Sequence, residues 1–90
     1  MSEENVDENT KNLNRARQSL VEELQAIMYY DERISATKNN DLKKILEHNR
    51  DDEKEHASLL LEWIRRNDPQ LAKEIKEIIS SNKKFEELWD

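Results

Sequence analysis

The chain has 90 residues, 40% of them charged and 34% hydrophobic, with a formal net charge of −6. That is one small domain with little apolar material for a core of its own, so a partner subunit is expected, and an acidic surface argues against nucleic acid as that partner. With no glycine, one proline and no cysteine, an all-α chain is favoured and disulfides and thiolate chemistry are excluded.

Residues 1–11 are acidic and aperiodic and read as a disordered leader. A first helix is expected from about Asn12 to Thr37, with Leu13, Ala16, Leu20, Leu24, Ile27 and Ile34 repeating at steps of three and four along one stripe. Asn39-Asn40-Asp41 interrupts the pattern and offers Asn40 or Asp41 as the cap of a second helix, about Asp41 to Arg66. The stripe of that helix is Leu42, Ile45, Leu46, Leu60, Trp63 and Ile64. Asp68-Pro69 then caps and opens a third helix, about Pro69 to Ser80. Residues 12–80 therefore read as a helical hairpin with a short C-terminal helix. Residues 81–90 form a C-terminal segment in which Phe85, Leu88 and Trp89 suggest one helical turn. No apolar run is long enough to span a membrane and no signal-peptide pattern opens the chain, so a cytoplasmic protein is expected.

A short connection makes the first two helices antiparallel, and two helices cannot enclose a core. Two hairpins can, so dimerisation into a four-helix bundle is expected.

The polar residues that interrupt the stripes carry the chemistry. Glu53-x-x-His56 places a carboxylate and an imidazole on one face of the second helix, within its apolar stripe. Glu23 intrudes in the same way on the first helix, beside Ala16 and Tyr30. Glu23 lies about fifteen residues before the hairpin turn and Glu53 about fourteen after it, so equal rise per residue brings them to one height. Doubled about a two-fold axis, the set becomes a Glu from each of two helices and a Glu-x-x-His from each of the other two. That is the ligand pattern of di-iron and di-manganese carboxylate bundles. Four carboxylates would balance two divalent ions, which answers the cost of burying them. Tyr30 is placed by spacing to hydrogen-bond a ligand carboxylate or simply to pack. Glu22, Gln25 and Tyr29 lie opposite the stripe, as a solvated face or as a second interface that would extend dimers into a ring.

The runs Val21 to Arg33 (VEELQAIMYYDER), His48 to Ala57 (HNRDDEKEHA) and Leu61 to Asp68 (LEWIRRND) closely resemble the encapsulated ferritins. These are two-helix ferritin-like cargo proteins of encapsulin nanocompartments. The resemblance implies a half-bundle protomer, a ferroxidase centre shared by two protomers, and a ring of five dimers. It implies Glu23 and His56 as terminal iron ligands, Glu53 as the bridging one and Tyr30 as the tyrosine beside the centre. It also implies a peripheral uptake site, for calcium or another divalent ion, between Glu22 and an acid three residues on. Here that position holds Gln25, which weakens the site. The expected activity is oxidation of Fe(II) to Fe(III), feeding iron storage inside an encapsulin shell, the second partner. Phe85 to Asp90 shows no shell-docking tail of the family kind. Two rivals stay open at this point: a non-enzymatic cargo or scaffold protein whose polar seam sets dimer register, and a rubrerythrin-like di-metal peroxidase.

Overall fold

Capping decides where each helix of the computed structural model begins; it describes residues 6–89. The first helix, α1, spans Glu8–Ala36. Asp7 accepts a hydrogen bond from the Thr10 backbone N–H at 2.9 Å and a second from the Thr10 hydroxyl at 2.9 Å. Glu8 adds negative charge to the first turn, where the helix dipole favours it. The helix thus starts earlier than the apolar period implied. Residues 8–11, read as leader, are its first turn, while residues 1–5 of that leader lie outside the described residues.

Helix α2 spans Asn40–Asn67. Its cap is Asn39, not Asn40 or Asp41: the Asn39 side chain accepts from the Leu42 N–H at 3.0 Å. Helix α3 spans Pro69–Ile78, and Asp68 accepts from the Leu71 N–H at 3.1 Å as the Asp-Pro pair predicts. It stops two residues short of Ser80. Ser81 N–H bonds back to the Ile78 carbonyl at 3.3 Å, and Ser80 takes a φ of 62° within that turn. A glycine normally fills such a left-handed position, and this chain has none. A single 3₁₀ turn, Phe85–Glu87, follows.

The described residues are all helical apart from caps and turns, and α1 and α2 form the expected antiparallel hairpin with α3 against α2. Leu13, Ala16 and Ile64 are buried together, with Leu20, Leu60 and Leu71 packed around them, so α3 closes the end of the hairpin away from its turn. Beyond that cluster, only Ile34 and Ala57 among the described apolar residues are buried. The hairpin does not enclose a core by itself.

The α2 stripe read as one is in fact two. Leu46, Arg50, Glu53, Ala57, Leu60 and Ile64 are buried or half-buried, at steps of three and four, and form the seam against α1. Leu42, Ile45, Leu59 and Trp63 belong to a neighbouring row whose members are 44%, 58%, 65% and 39% exposed. His56 is in that second row. On α1 the inner row runs Leu13, Ala16, Leu20, Glu23, Ile27, Tyr30 and Ile34, while Val21, Leu24 and Met28 lie outside it and exposed. Leu24, assigned to the α1 stripe, is therefore on the outer face.

Candidate metal centre

Glu23 and Glu53 occupy facing inner rows, where a heptad would place leucine. His56, one turn beyond Glu53, reaches back toward both. Its Nδ1 lies 3.3 Å from Glu53 Oε2 and 3.7 Å from Glu23 Oε2. One ligand atom from each residue falls within 4.8 Å of the other two, the one such group of His and acidic side chains among the described residues. The Glu23 and Glu53 side chains are three-quarters buried, and that of His56 is half-exposed.

Glu23 Oε2 is buried and accepts no hydrogen bond. The 3.7 Å approach of His56 is too long to be one. An orphaned carboxylate oxygen costs about 1–3 kcal/mol, and a cation at this point would remove that cost. Two carboxylates and an imidazole suit iron, manganese or zinc better than calcium or magnesium, which favour oxygen alone. The three residues therefore fit a transition metal, and the ring nitrogen turned toward it is Nδ1.

Cross-helix ion pairs hold the register that brings Glu23 to Glu53. Arg50 Nη1 donates to Asp31 Oδ1 at 2.9 Å and Arg50 Nε to Asp51 Oδ1 at 3.3 Å. The bond it donates to Asp31, and then that to Asp51, hold the guanidinium above its ordinary pKa. At the other end, Arg17 Nη2 donates to Asp68 Oδ2 at 3.1 Å while Asp68 caps α3 with its other oxygen. Farther along α2, Glu62 takes two bonds of 2.7 Å from Arg65 and one of 2.6 Å from Arg66. Those bonds pull its carboxyl down to about 2.

Sequence reasoning did not single out Arg50. Its signal was a lone cation in the inner row, three residues before Glu53, hidden while the two rows read as one. Its partner Asp31 lies on the other helix of the hairpin. Tyr30 is in the seam, but no hydrogen bond joins it to the ligand group; the Arg33 guanidinium stands 6.0 Å over its ring centroid. Glu22, Gln25 and Tyr29 are exposed on another face and assemble no ligand group. Asp52 lies 3.4 Å from His48 Nε2.

The family model EncFtn-like matches residues 1–82. The chain belongs to the EncFtn-like family. This EncFtn-like chain is 49% identical, over 69 residues, to the encapsulated ferritin-like protein of Rhodospirillum rubrum, covering 77% of this chain and 49% of that one. It is 46% identical over 63 residues to the encapsulin nanocompartment cargo protein EncC of Myxococcus xanthus, covering 70% of this chain and 48% of that one. It thus spans about half the length of these relatives. Protein ne0167 of Nitrosomonas europaea, a crystal structure, is 47% identical and superposes with a TM-score of 0.89 over 94% of this chain and 93% of that one. Hairpin and short third helix thus have a ferritin-like all-helical fold. No described helix is long and apolar enough to cross a membrane.

Proposed function

We propose that this EncFtn-like chain is half of a ferroxidase, which binds Fe(II) as substrate at Glu23, Glu53 and His56 and oxidises it to Fe(III). The observation that carries the reading is the buried, unpartnered Glu23 Oε2 facing Glu53 and His56 Nδ1. Iron supplies the one-electron chemistry, with dioxygen or peroxide as acceptor. Glu23 and His56 would each hold one ion, and Glu53 would be shared between two. Within one protomer two carboxylates balance one divalent ion, and a second copy brings the same set. The half-exposed His56 lies in the row of Ile45, Leu59 and Trp63, an apolar face with nothing on it in the single chain. A second hairpin on that face buries the row, completes a four-helix bundle and doubles the ligand set.

Tyr30 sits one heptad beyond Glu23 in the seam and acts as the tyrosine of the centre. Glu22 remains a weak peripheral ligand for calcium or another divalent ion, since Gln25 brings no charge. The relatives' names, encapsulated ferritin-like protein and encapsulin cargo protein, support a place inside an encapsulin compartment of the cytoplasm. There the chain would be a ring of five dimers that delivers ferric iron for storage.

Aerobic Fe(II) oxidation, followed by ferric absorbance, tests the site in wild type, Glu53→Ala and His56→Ala. Both variants are expected to lose most of the activity. Oxidation at the wild-type rate in either one sinks the assignment. Native mass measurement with and without Fe(II) tests the sharing, and a monomer in both conditions rules it out.

A further inference from the structure

Two features at the α3 end of the molecule are left without a role by the metal centre. The first is the C-terminal segment. Phe85 is 80% exposed and Trp89 66% exposed, and between them stand the exposed acids Glu86 and Glu87. Large aromatics left this open in a charged chain are anchors in want of a pocket. The second is an open hollow of about 450 Å³ along α3, lined by Arg65, Pro69, Ala72, Lys73, Ile75 and Lys76. Its floor is apolar and its three charged residues are all cations.

The two match in chemistry: aromatic anchors with two carboxylates, and an apolar floor with a cationic rim. They do not meet within one chain. Leu88 and Trp89 share a separate hollow with Glu77, Lys83 and Glu87, which sets Glu87 beside another acid. Among the described residues Lys73, Lys76, Glu86 and Glu87 join no ion pair.

We propose that the segment Phe85–Trp89 of one copy docks into the α3 hollow of a second copy, with Phe85 and Trp89 on the apolar floor and Glu86 and Glu87 against Lys73 and Lys76. The size of the contact says what it can do. An aromatic side chain buries roughly 150–250 Å², so two of them, counted together with the surface they cover, at most approach the roughly 1,000 Å² a stable interface needs. The arm therefore reinforces an assembly held elsewhere, and it does so independently of metal chemistry.

Equal amounts of ¹⁴N and ¹⁵N full-length chain, refolded together and coupled with a zero-length carbodiimide, test the docking directly. The expected result is mixed-isotope cross-links from Lys73 or Lys76 to Glu86 or Glu87. Links confined to a single isotope, or none from these residues while other mixed links form, overturn the proposal. Sedimentation provides the second arm. Phe85→Ala/Trp89→Ala and Lys73→Glu/Lys76→Glu should each raise the dissociation concentration of the assembly about tenfold or more, with helix content by circular dichroism unchanged. Adding Glu86→Lys/Glu87→Lys to the lysine variant should restore it. Sedimentation identical to wild type in both double variants overturns the proposal, whatever the iron-oxidation assay shows.

Discussion

Arg50 and Asp31 join α2 to α1 through a 2.9 Å ion pair between the hairpin turn and the Glu23, Glu53 and His56 group. The arginine stem lies in the seam, and the pair is the cross-helix bond nearest the turn. Its loss frees the helices to slide, and a slide of one residue, about 1.5 Å, is enough to spoil a shared ligand geometry. Arg50→Ala should lower Tm by a few degrees and weaken Co(II) binding severalfold, read by calorimetry and by the visible spectrum of bound cobalt. The swapped pair Asp31→Arg/Arg50→Asp should recover both. Recovery of Tm without recovery of the cobalt spectrum would show that the pair does not set the ligand geometry.

Glu23→Gln separates the two demands made on that position. Without metal, the amide removes the charge from a carboxylate whose buried Oε2 accepts no hydrogen bond, so the variant should be more stable than wild type by about 1 kcal/mol. With Fe(II) or Co(II) present, the order should reverse, because the extra stability that wild type gains from binding is lost. Thermal melts with and without Co(II) read both. A metal-free variant less stable than wild type would mean that the Glu23 carboxylate has a partner after all.

Acid should loosen the C-terminal end of α2 through Glu62. Its folded carboxyl is held at about 2, below the ordinary 4.5, first by the bonds from Arg65 and then by those from Arg66. A depressed carboxyl contributes stability that is full above the unfolded value and lost as pH falls from about 4.5 toward 2. Solvent screens so exposed a cluster, so the effect is small and should shrink in high salt. Melts of wild type and Glu62→Gln across that window should converge as pH falls. Curves that stay parallel would show that Glu62 is not the group responsible.

Ser80 is a cheap place to gain stability. Its φ of 62° is the left-handed region, where a side chain is strained and glycine is not. Ser80→Gly should raise stability by about 1 kcal/mol, measurable by urea denaturation, without touching the ligand group. A loss instead would mean that the Ile78 to Ser81 turn draws on the serine side chain.

The helices, the Asp68 cap and the convergence of Glu23, Glu53 and His56 were legible in the sequence, because each rests on spacings of one to four residues or on symmetry about a single turn. Three things were hidden for physical reasons. The Asp7 cap lies well before Leu13, where the apolar period begins, so that period cannot reveal it. The Arg50 to Asp31 and Arg17 to Asp68 pairs join residues far apart in sequence, whose meeting depends on how the hairpin closes. The two rows of α2 blur because a seven-residue repeat drifts by about 20° per heptad on a straight helix. Across the 28 residues of α2, one stripe merges Ile45 with Leu46 and Trp63 with Ile64.

That doubling of rows also separates two kinds of energy. Ile64 is buried and Leu60 half-buried against α1 in every chain, so their truncation acts on a unimolecular equilibrium and shifts Tm equally at any protein concentration. Leu59 and Trp63 face outward, so under the proposed pairing their truncation acts through mass action and is felt more as the protein is concentrated. Two side chains one residue apart, on the same turn of the same helix, answer to different thermodynamic variables.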